Sequence, residues 1–472
     1  MNHKTYTLKN IPPPHSFRAA FWPLFCLAIA LLRPLGLPLS AADKYWNNNS
    51  PATGNWSGEY WSLLENGAIG ETVASTGDSI FITRPNAVIS IGYMSTSPSV
   101  DGITISSGAT ATITTHTSGS QSVTVNGASS GDLTWNSVSA GYTRLILGAN
   151  VAWNGKITEA STAASGNANS SSSKEIRINS QTATSANTKI ALDGTGKLVL
   201  NQSTGTVTLG ELSGTSSSAE ITAINAGGNR AISLVQATNT TYAGIWTKGG
   251  REWTFTKSDE GRIRFTGAIS AWTSGAQITG GSVYLNGTVT NVSGNSGTGI
   301  TVSSGATLGG TGSITLAADK TITFADGAVL DPGDVNDAGV ATTGILTITS
   351  TSGAGLVFAG NATIKFNLDG DKIVLEGNSM IGSAAANSVI TFDFTGSPVS
   401  VVGTTIDLIT FGATPGIDKN VFVAGGGWTG DFRYNGNTLQ FVVATAPVPE
   451  PATVALILGL GCAGSLLIFR RR

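Results

Sequence analysis

A long succession of short alternating segments constrains this chain more than anything else in its sequence. Ile103-Thr104-Ile105, Leu198-Val199-Leu200, Ile221-Thr222-Ala223-Ile224, Ile263-Arg264-Phe265 and Ile314-Thr315-Leu316 are examples. Ile322-Thr323-Phe324, Ile345-Leu346-Thr347-Ile348 and Val389-Ile390-Thr391-Phe392 continue the pattern. Each is about three to six residues long, rich in β-branched side chains, and bounded by Gly, Asn, Asp or Ser, which is strand periodicity. Strands this short do not make wide sandwiches. They suit an all-β fold of the parallel β-helix (solenoid) kind, in which each coil bends through turns and lays its strands on the coil below.

Inexact self-similarity points the same way. Ser106-Ser107-Gly108-Ala109-Thr110 recurs unchanged as Ser303-Ser304-Gly305-Ala306-Thr307, and Asp326-Gly327-Ala328-Val329-Leu330 has the same Gly-Ala turn before an apolar strand. Glycine suits tight corners because it reaches positive φ at little steric cost. The corner spacing predicts rungs of roughly 20 residues, within the range of solenoids.

The segment Gly280-Gly281-Ser282-Val283-Tyr284-Leu285-Asn286-Gly287, with Thr298-Gly299-Ile300-Thr301-Val302 and Ala306-Thr307-Leu308-Gly309-Gly310-Thr311-Gly312-Ser313-Ile314, resembles the autotransporter-associated β-strand repeat. Asp331-Pro332-Gly333 closes the next coil, as that family often does. The resemblance covers residues around 280–334 and implies a right-handed, passenger-type β-helix. No outer-membrane barrel pattern follows, so self-translocation is not expected.

The two ends read as export signals. Lys4, Lys9 and Arg18 precede an apolar stretch over 19–32, and Ser40-Ala41-Ala42 offers small residues to signal peptidase, so cleavage is expected after Ala42. Arg33 and Pro34 interrupt this signal peptide, and an uncleaved anchor is the alternative. At the other end, Val448-Pro449-Glu450-Pro451 is followed by an uncharged run over 452–469 and then by Arg470, Arg471 and Arg472. Eighteen residues at 1.5 Å each give a helix of roughly 27 Å, enough to cross a bilayer core, with the arginines held on the cytoplasmic side. This three-part tail resembles the PEP-CTERM sorting signal of Gram-negative bacteria. The resemblance implies recognition by an exosortase, a membrane cysteine protease, then loss of the transmembrane sorting helix and release to the cell surface or extracellular matrix. It also implies a setting of exopolysaccharide and biofilm.

Between the ends the expected organisation is N-terminal cap and first coils over 43–160, a flexible Ser/Gly/Ala loop over 161–173 and a β-helix body over 174–358. A β-rich closing region over 359–446 precedes the sorting tail over 447–472.

Charge and reactive side chains exclude several functions. The chain has 26 Lys+Arg against 28 Asp+Glu. Without the four basic residues of the leader and the three terminal arginines, 19 basic residues face 28 acidic ones, a net charge of about −9 with no basic stripe for nucleic acid. Cys26 and Cys462 both lie in the export segments, so the body has no disulfide, cysteine nucleophile or thiolate metal site. Of His3, His15 and His116 only the last lies in the body, where it reads as a surface residue of a strand end or turn.

Three constellations merit a functional reading. Trp46, Trp56 and Trp61, with Tyr45 and Tyr60, either cover the open end of a solenoid core or stack on sugar rings, and the cap is favoured. Trp246, Trp253 and Trp272 alternate with Lys248, Arg251, Lys257, Arg262 and Arg264, which in one groove would bind an acidic glycan. Rung-face packing is the blander reading and is favoured. Asp331, Asp334, Asn336 and Asp337, like Asp369 and Asp371 around Gly370, lack a calcium-loop pattern and read as turns. Gly309-Gly310-Thr311-Gly312 lacks the Lys-Ser and helix of a phosphate loop and reads as a corner.

The expectation is therefore an exported, non-enzymatic surface or exopolysaccharide-matrix protein with no catalytic residue, cofactor or metal. Its expected partners are the secretion translocon, signal peptidase, an exosortase-type protease and extracellular polysaccharide, but no nucleic acid. A glycan-binding adhesin is the alternative, and a polysaccharide lyase or hydrolase stands behind it.

Overall fold

The computed structural model describes residues 42–446, except 48–49, 52, 58–60, 64, 66–68, 70–76, 92–96, 116–119, 225–227, 294–297, 383–387 and 397–401. The described chain is all-β, and its long sheets are built from parallel pairs except for two antiparallel pairs at the C-terminal end. One seven-stranded sheet runs from Ser99–Val100 to Ile245–Trp246 and another from Thr53–Asn55 to Glu211–Ser213. In the C-terminal half, two eight-stranded sheets run from Thr206–Leu209 to Met380–Ile381 and from Thr240–Tyr242 to Phe422–Ala424. A seven-stranded sheet begins at Thr288–Val292 and ends in Thr429–Asn435.

Register explains why the pattern in the sequence works. Ile263 pairs with Val283, Val283 with Leu308, and Leu308 with Leu330, so successive strands of this sheet follow one another at similar spacing in the sequence. The next step, Leu330 to Ile364, is longer than those before it because a hairpin is inserted between the two strands. Each strand therefore lands in phase on the one before it. Inward residues stack into apolar columns such as Ile263, Val283, Leu308, Leu330, Ile364 and Phe392, all fully buried. Each contributes about 1.5–3 kcal/mol of apolar burial. The residue after each points the other way, because successive strand side chains alternate between faces.

The corners obey the repeat. Gly108 and Gly305 have φ of 78° and 74°, and a Cβ at either would meet nothing within 4 Å. Backbone conformation, not crowding, requires glycine there. The alanine after each is buried, and its N–H donates to the residue three before it, Ser106 or Ser303, closing the same tight turn twice.

Large rings fill the core between columns. Trp246, Trp253, Phe255, Phe265 and Trp272 form one cluster, with Phe255 and Trp272 stacked 4.9 Å apart and Trp246 edge-on to Trp253 at 5.5 Å. At the C-terminal end Thr405–Thr410 lies parallel to Lys372–Gly377, but its other neighbour, Thr438–Thr445, is antiparallel and pairs in turn with Thr429–Asn435. Phe432 and Phe441 of this closing hairpin pack against each other and against Phe394.

Residues 161–173, read from sequence as a flexible loop, cover a buried ion cluster. Asn169 N–H donates to Glu175 Oε1 at 2.7 Å, and Arg144 Nη2 donates to the Ser170 carbonyl at 3.2 Å. Arg177 pairs with Glu175 at 2.5 Å, and the Lys174 ammonium donates to the carbonyls of Gly141 and Ser172. Without the loop these charges would face water imperfectly paired, and buried charges persist only when satisfied.

Trp272→Ala should lower the unfolding free energy of the exported body by about 3–5 kcal/mol through the cavity it leaves. Gly305→Ala should cost only about 1 kcal/mol, the strain of positive φ at an uncrowded corner. Urea unfolding followed by tryptophan fluorescence checks both, and equal losses would contradict the division between packing and backbone strain.

Candidate functional site

The aromatic residues occupy the core. Trp46, Trp56 and Trp61 are each 0% exposed. Trp61 stands edge-on to Trp46 at 5.1 Å and to Trp56 at 5.5 Å, and its indole N–H donates to the Trp56 carbonyl at 2.8 Å. Stacking on a sugar needs an exposed ring face, and none of the three has one. The alternative of glycan contact at Trp46, Trp56 and Trp61 is corrected to core packing near the start of the described chain.

The second aromatic and basic group separates in the same way. Trp246, Trp253 and Trp272 are inward and fully buried. The Lys257 ammonium is also buried; it donates to the carbonyls of Gln236, Ser258 and Asp259 at 3.0, 2.5 and 2.9 Å, and desolvation lowers its pKa to about 8. Lys248 pairs with Glu252 at 2.9 Å on the surface. Rings and cations share no open groove, so the acidic-glycan groove is not formed.

Ala42, the expected cleavage position, sits at the start of the first described strand. Its N–H donates to Asp78 Oδ1 at 2.9 Å and its carbonyl accepts from the Ser79 N–H at 3.1 Å. The sorting residues Pro449, Glu450, Pro451, Arg470, Arg471 and Arg472 lie outside the described residues, as does His116.

One outward column of the second eight-stranded sheet gathers most of the polar chemistry. Beside the apolar column lie, in register, Thr241, Arg264, Tyr284, Gly309 and Asp331, then Lys365 and Asp393 on the following strands. Tyr284 and Asp331 are two strands apart, yet the phenol donates to Asp331 Oδ2 at 2.7 Å. Gly309 permits this: a Cβ there would sit 2.7 Å from the Tyr284 ring and 2.5 Å from the Asp331 carbonyl oxygen. Burial, and next the Asp331 charge, push the Tyr284 phenol up. Burial also raises the Asp331 carboxyl, against the opposing pull of the Tyr284 hydrogen bond.

The inserted hairpin, Asp334–Val335 paired antiparallel with Ala341–Thr342, folds back over this column. Arg264 grips it bidentately, Nε to Asp334 Oδ1 at 3.0 Å and Nη2 to Oδ2 at 2.5 Å, while Nη1 reaches Asp337 at 2.9 Å. Arg262 Nη2 donates to the Asn336 carbonyl at 2.8 Å, and the Thr241 hydroxyl donates to Asp337 at 2.6 Å. Although burial opposes it, the hydrogen bonds from Arg264 and Asn286 hold the Asp334 carboxyl below its usual range. The run Asp331–Asp337, read from sequence as a turn, spans the end of one strand and the first strand of the hairpin, and it is tied to side chains far earlier in the chain.

Under the hairpin lies a cleft of about 290 Å³, lined by Tyr284, Asp331, Val335, Thr342, Lys365, Asp371 and Asp393. A wider cleft of about 570 Å³, lined by Ile345, Asp371, Lys372, Thr405, Asp407 and Gln440, shares Asp371 with the first. Asp371 is fixed from both sides: Oδ1 accepts from Gly344 N–H at 2.9 Å and Oδ2 from Asn367 N–H at 2.6 Å. Desolvation, aided by the charge of Asp331 and opposed by those two bonds, raises its pKa to about 6. The arrangement offers fixed acceptors beside ammonium and hydroxyl donors, suited to reading polar groups on a ligand. Among the described residues, no group of three or more His, Cys, Asp or Glu is placed to hold a metal ion.

Two changes test the polar column and the Asp371 turn. Tyr284→Phe should cost about 1–3 kcal/mol, since it withdraws the hydroxyl from a buried carboxylate. Asp371 has its folded pKa above the value near 3.8 of a free aspartate, so its stabilising effect is complete below about pH 4 and is lost as pH rises through about 6. The advantage of wild type over Asp371→Asn should therefore be larger at pH 4 than at pH 7, by up to about 3 kcal/mol. Urea unfolding at the two pH values reads this directly, and an advantage that grows toward pH 7 would contradict the raised pKa.

Comparison with known proteins adds one assignment. Residues 447–472 match the model of the PEP-CTERM protein-sorting motif. No curated protein matches the chain. The body therefore stands on its own geometry, while the tail carries a sorting motif that implies export, a transient membrane anchor and processing by an exosortase-type membrane protease.

Proposed function

We propose that this chain is an exported, non-enzymatic cell-surface or exopolysaccharide-matrix protein whose body is a right-handed parallel β-helix. The sorting motif at 447–472 carries this reading, because it gives the destination. The successive parallel pairing of Ile263, Val283, Leu308 and Leu330 supports a coil geometry, and the segment around 280–334 supports the autotransporter-associated repeat as its source. A long body with a continuous core and outward Thr and Ser residues suits a rod that bears load or spaces other molecules. Signal peptidase would free the N-terminus after Ala42, and the exosortase would then part the body from its anchor. Retention in the matrix would follow from contact with extracellular polysaccharide.

Replacing Pro449 and Glu450 with alanine should hold the uncleaved chain in the inner-membrane fraction, whereas wild type is recovered at the surface or in the medium. Fractionation and immunoblotting check this, and equal release of both forms would remove the exosortase step. Released wild type should also sediment with the producer's own exopolysaccharide without generating new reducing ends. New chain ends would make the protein a polysaccharide-cleaving enzyme instead.

A further inference from the structure

We infer that the double cleft centred on Asp371 is a binding site for a neutral, hexose-rich stretch of polysaccharide. The inference rests on the matrix reading above and names the ligand class that reading leaves open.

Shape comes first. The clefts of about 290 and 570 Å³ both border Asp371, and the wider one alone is roomy enough for sugar rings rather than one small ion. One wall is the hairpin clamped by Arg264, and the opposite side is the closing sheet through Thr405 and Gln440. These walls are held by bidentate and main-chain bonds, so little ordering is needed when a ligand enters.

Chemistry then selects the class. Each Asp371 oxygen is fixed by a single main-chain N–H, which leaves lone-pair capacity on both for hydroxyl donors. Lys365 and Thr342 on one side and Lys372 on the other supply donors for ring and hydroxyl oxygens. Ile345 is 49% exposed at the mouth of the wider cleft, an aliphatic platform that fits the C–H face of a pyranose. Charge excludes the alternatives. Four carboxylates, from Asp331, Asp371, Asp393 and Asp407, outnumber the ammonium groups of Lys365 and Lys372, which disfavours uronate or sulfated chains. Tyr284, Val335, Ala341 and Phe366 give the narrower cleft apolar surface beside its polar groups, the mixed wall that a sugar's C–H faces and hydroxyls need.

The test uses the full protein as released from cells, titrated with linear glucose, galactose and mannose hexasaccharides and with hexagalacturonate, followed by saturation-transfer NMR. At least one neutral hexasaccharide should bind, and hexagalacturonate should bind more weakly. Ile345→Glu and Lys365→Ala lie at exposed positions and should each weaken binding at least about tenfold with an unchanged unfolding midpoint. Val402→Glu, at a 70% exposed site that lines neither cleft, should leave it unchanged. The proposal is overturned if no neutral hexasaccharide binds, if hexagalacturonate binds more tightly, or if the two cleft variants bind as wild type does. Co-sedimentation of the same samples with whole exopolysaccharide separates the two levels: if it persists without oligosaccharide binding, the cleft assignment falls and the matrix reading stands. If both are lost, both fall.

Discussion

Parallel stacking in constant register governs everything else in this molecule. When Ile263 lies beside Val283 and Val283 beside Leu308, the side chains that follow them must also stack, so each strand position becomes a column across the sheet. Apolar columns make one continuous core from Trp46 to Val443 out of strands only a few residues long. No strand could bury its face alone; each is stabilised by the neighbours above and below. Insertions are tolerated only where they leave the columns in phase. The hairpin 334–342 satisfies this: it lengthens one step of the coil, yet Leu330 still meets Ile364.

The same register accounts for what could and could not be read in advance. Strand positions and corners were legible because both are local: alternation marks Ile322-Thr323-Phe324, and the repeated Ser-Ser-Gly-Ala-Thr marks corners whose glycines share positive φ. The direction in which the tryptophans point was only partly legible: packing was the favoured reading, but an indole on a short strand is also compatible with a sugar platform. Burial of Trp46, Trp56 and Trp61 decides for packing. The polar column was hidden for a different reason. Arg264, Tyr284, Asp331, Lys365 and Asp393 are widely separated in sequence and become neighbours only once the steps are known. The one local trace was Gly309, read as a corner, whose missing side chain makes room for the Tyr284 ring.

Several polar groups inside and along the body are anchored by main chain. Glu159 accepts from the Ser161 and Gly196 N–H groups, Lys257 donates to three carbonyls, and Asp371 is held by two N–H groups. A coil offers main-chain groups at its corners, where the ladders break. Side chains placed there satisfy those groups and fix the corners in return. Asp371 differs from the other two in lining two clefts, so a largely buried anchor of the fold is also a fixed acceptor in their walls.

The junction between body and tail completes this logic. A stack of parallel strands would end in an exposed edge and an uncovered core, a liability for pairing with other chains. Here the last strand, Thr438–Thr445, reverses direction and is hydrogen-bonded on both sides, to Thr405–Thr410 and to Thr429–Asn435. The sorting motif begins at residue 447, so Ala446 alone separates it from that strand. The segment that closes the core is also the one that bears the anchor, and cutting the tail beyond it leaves both ladders intact.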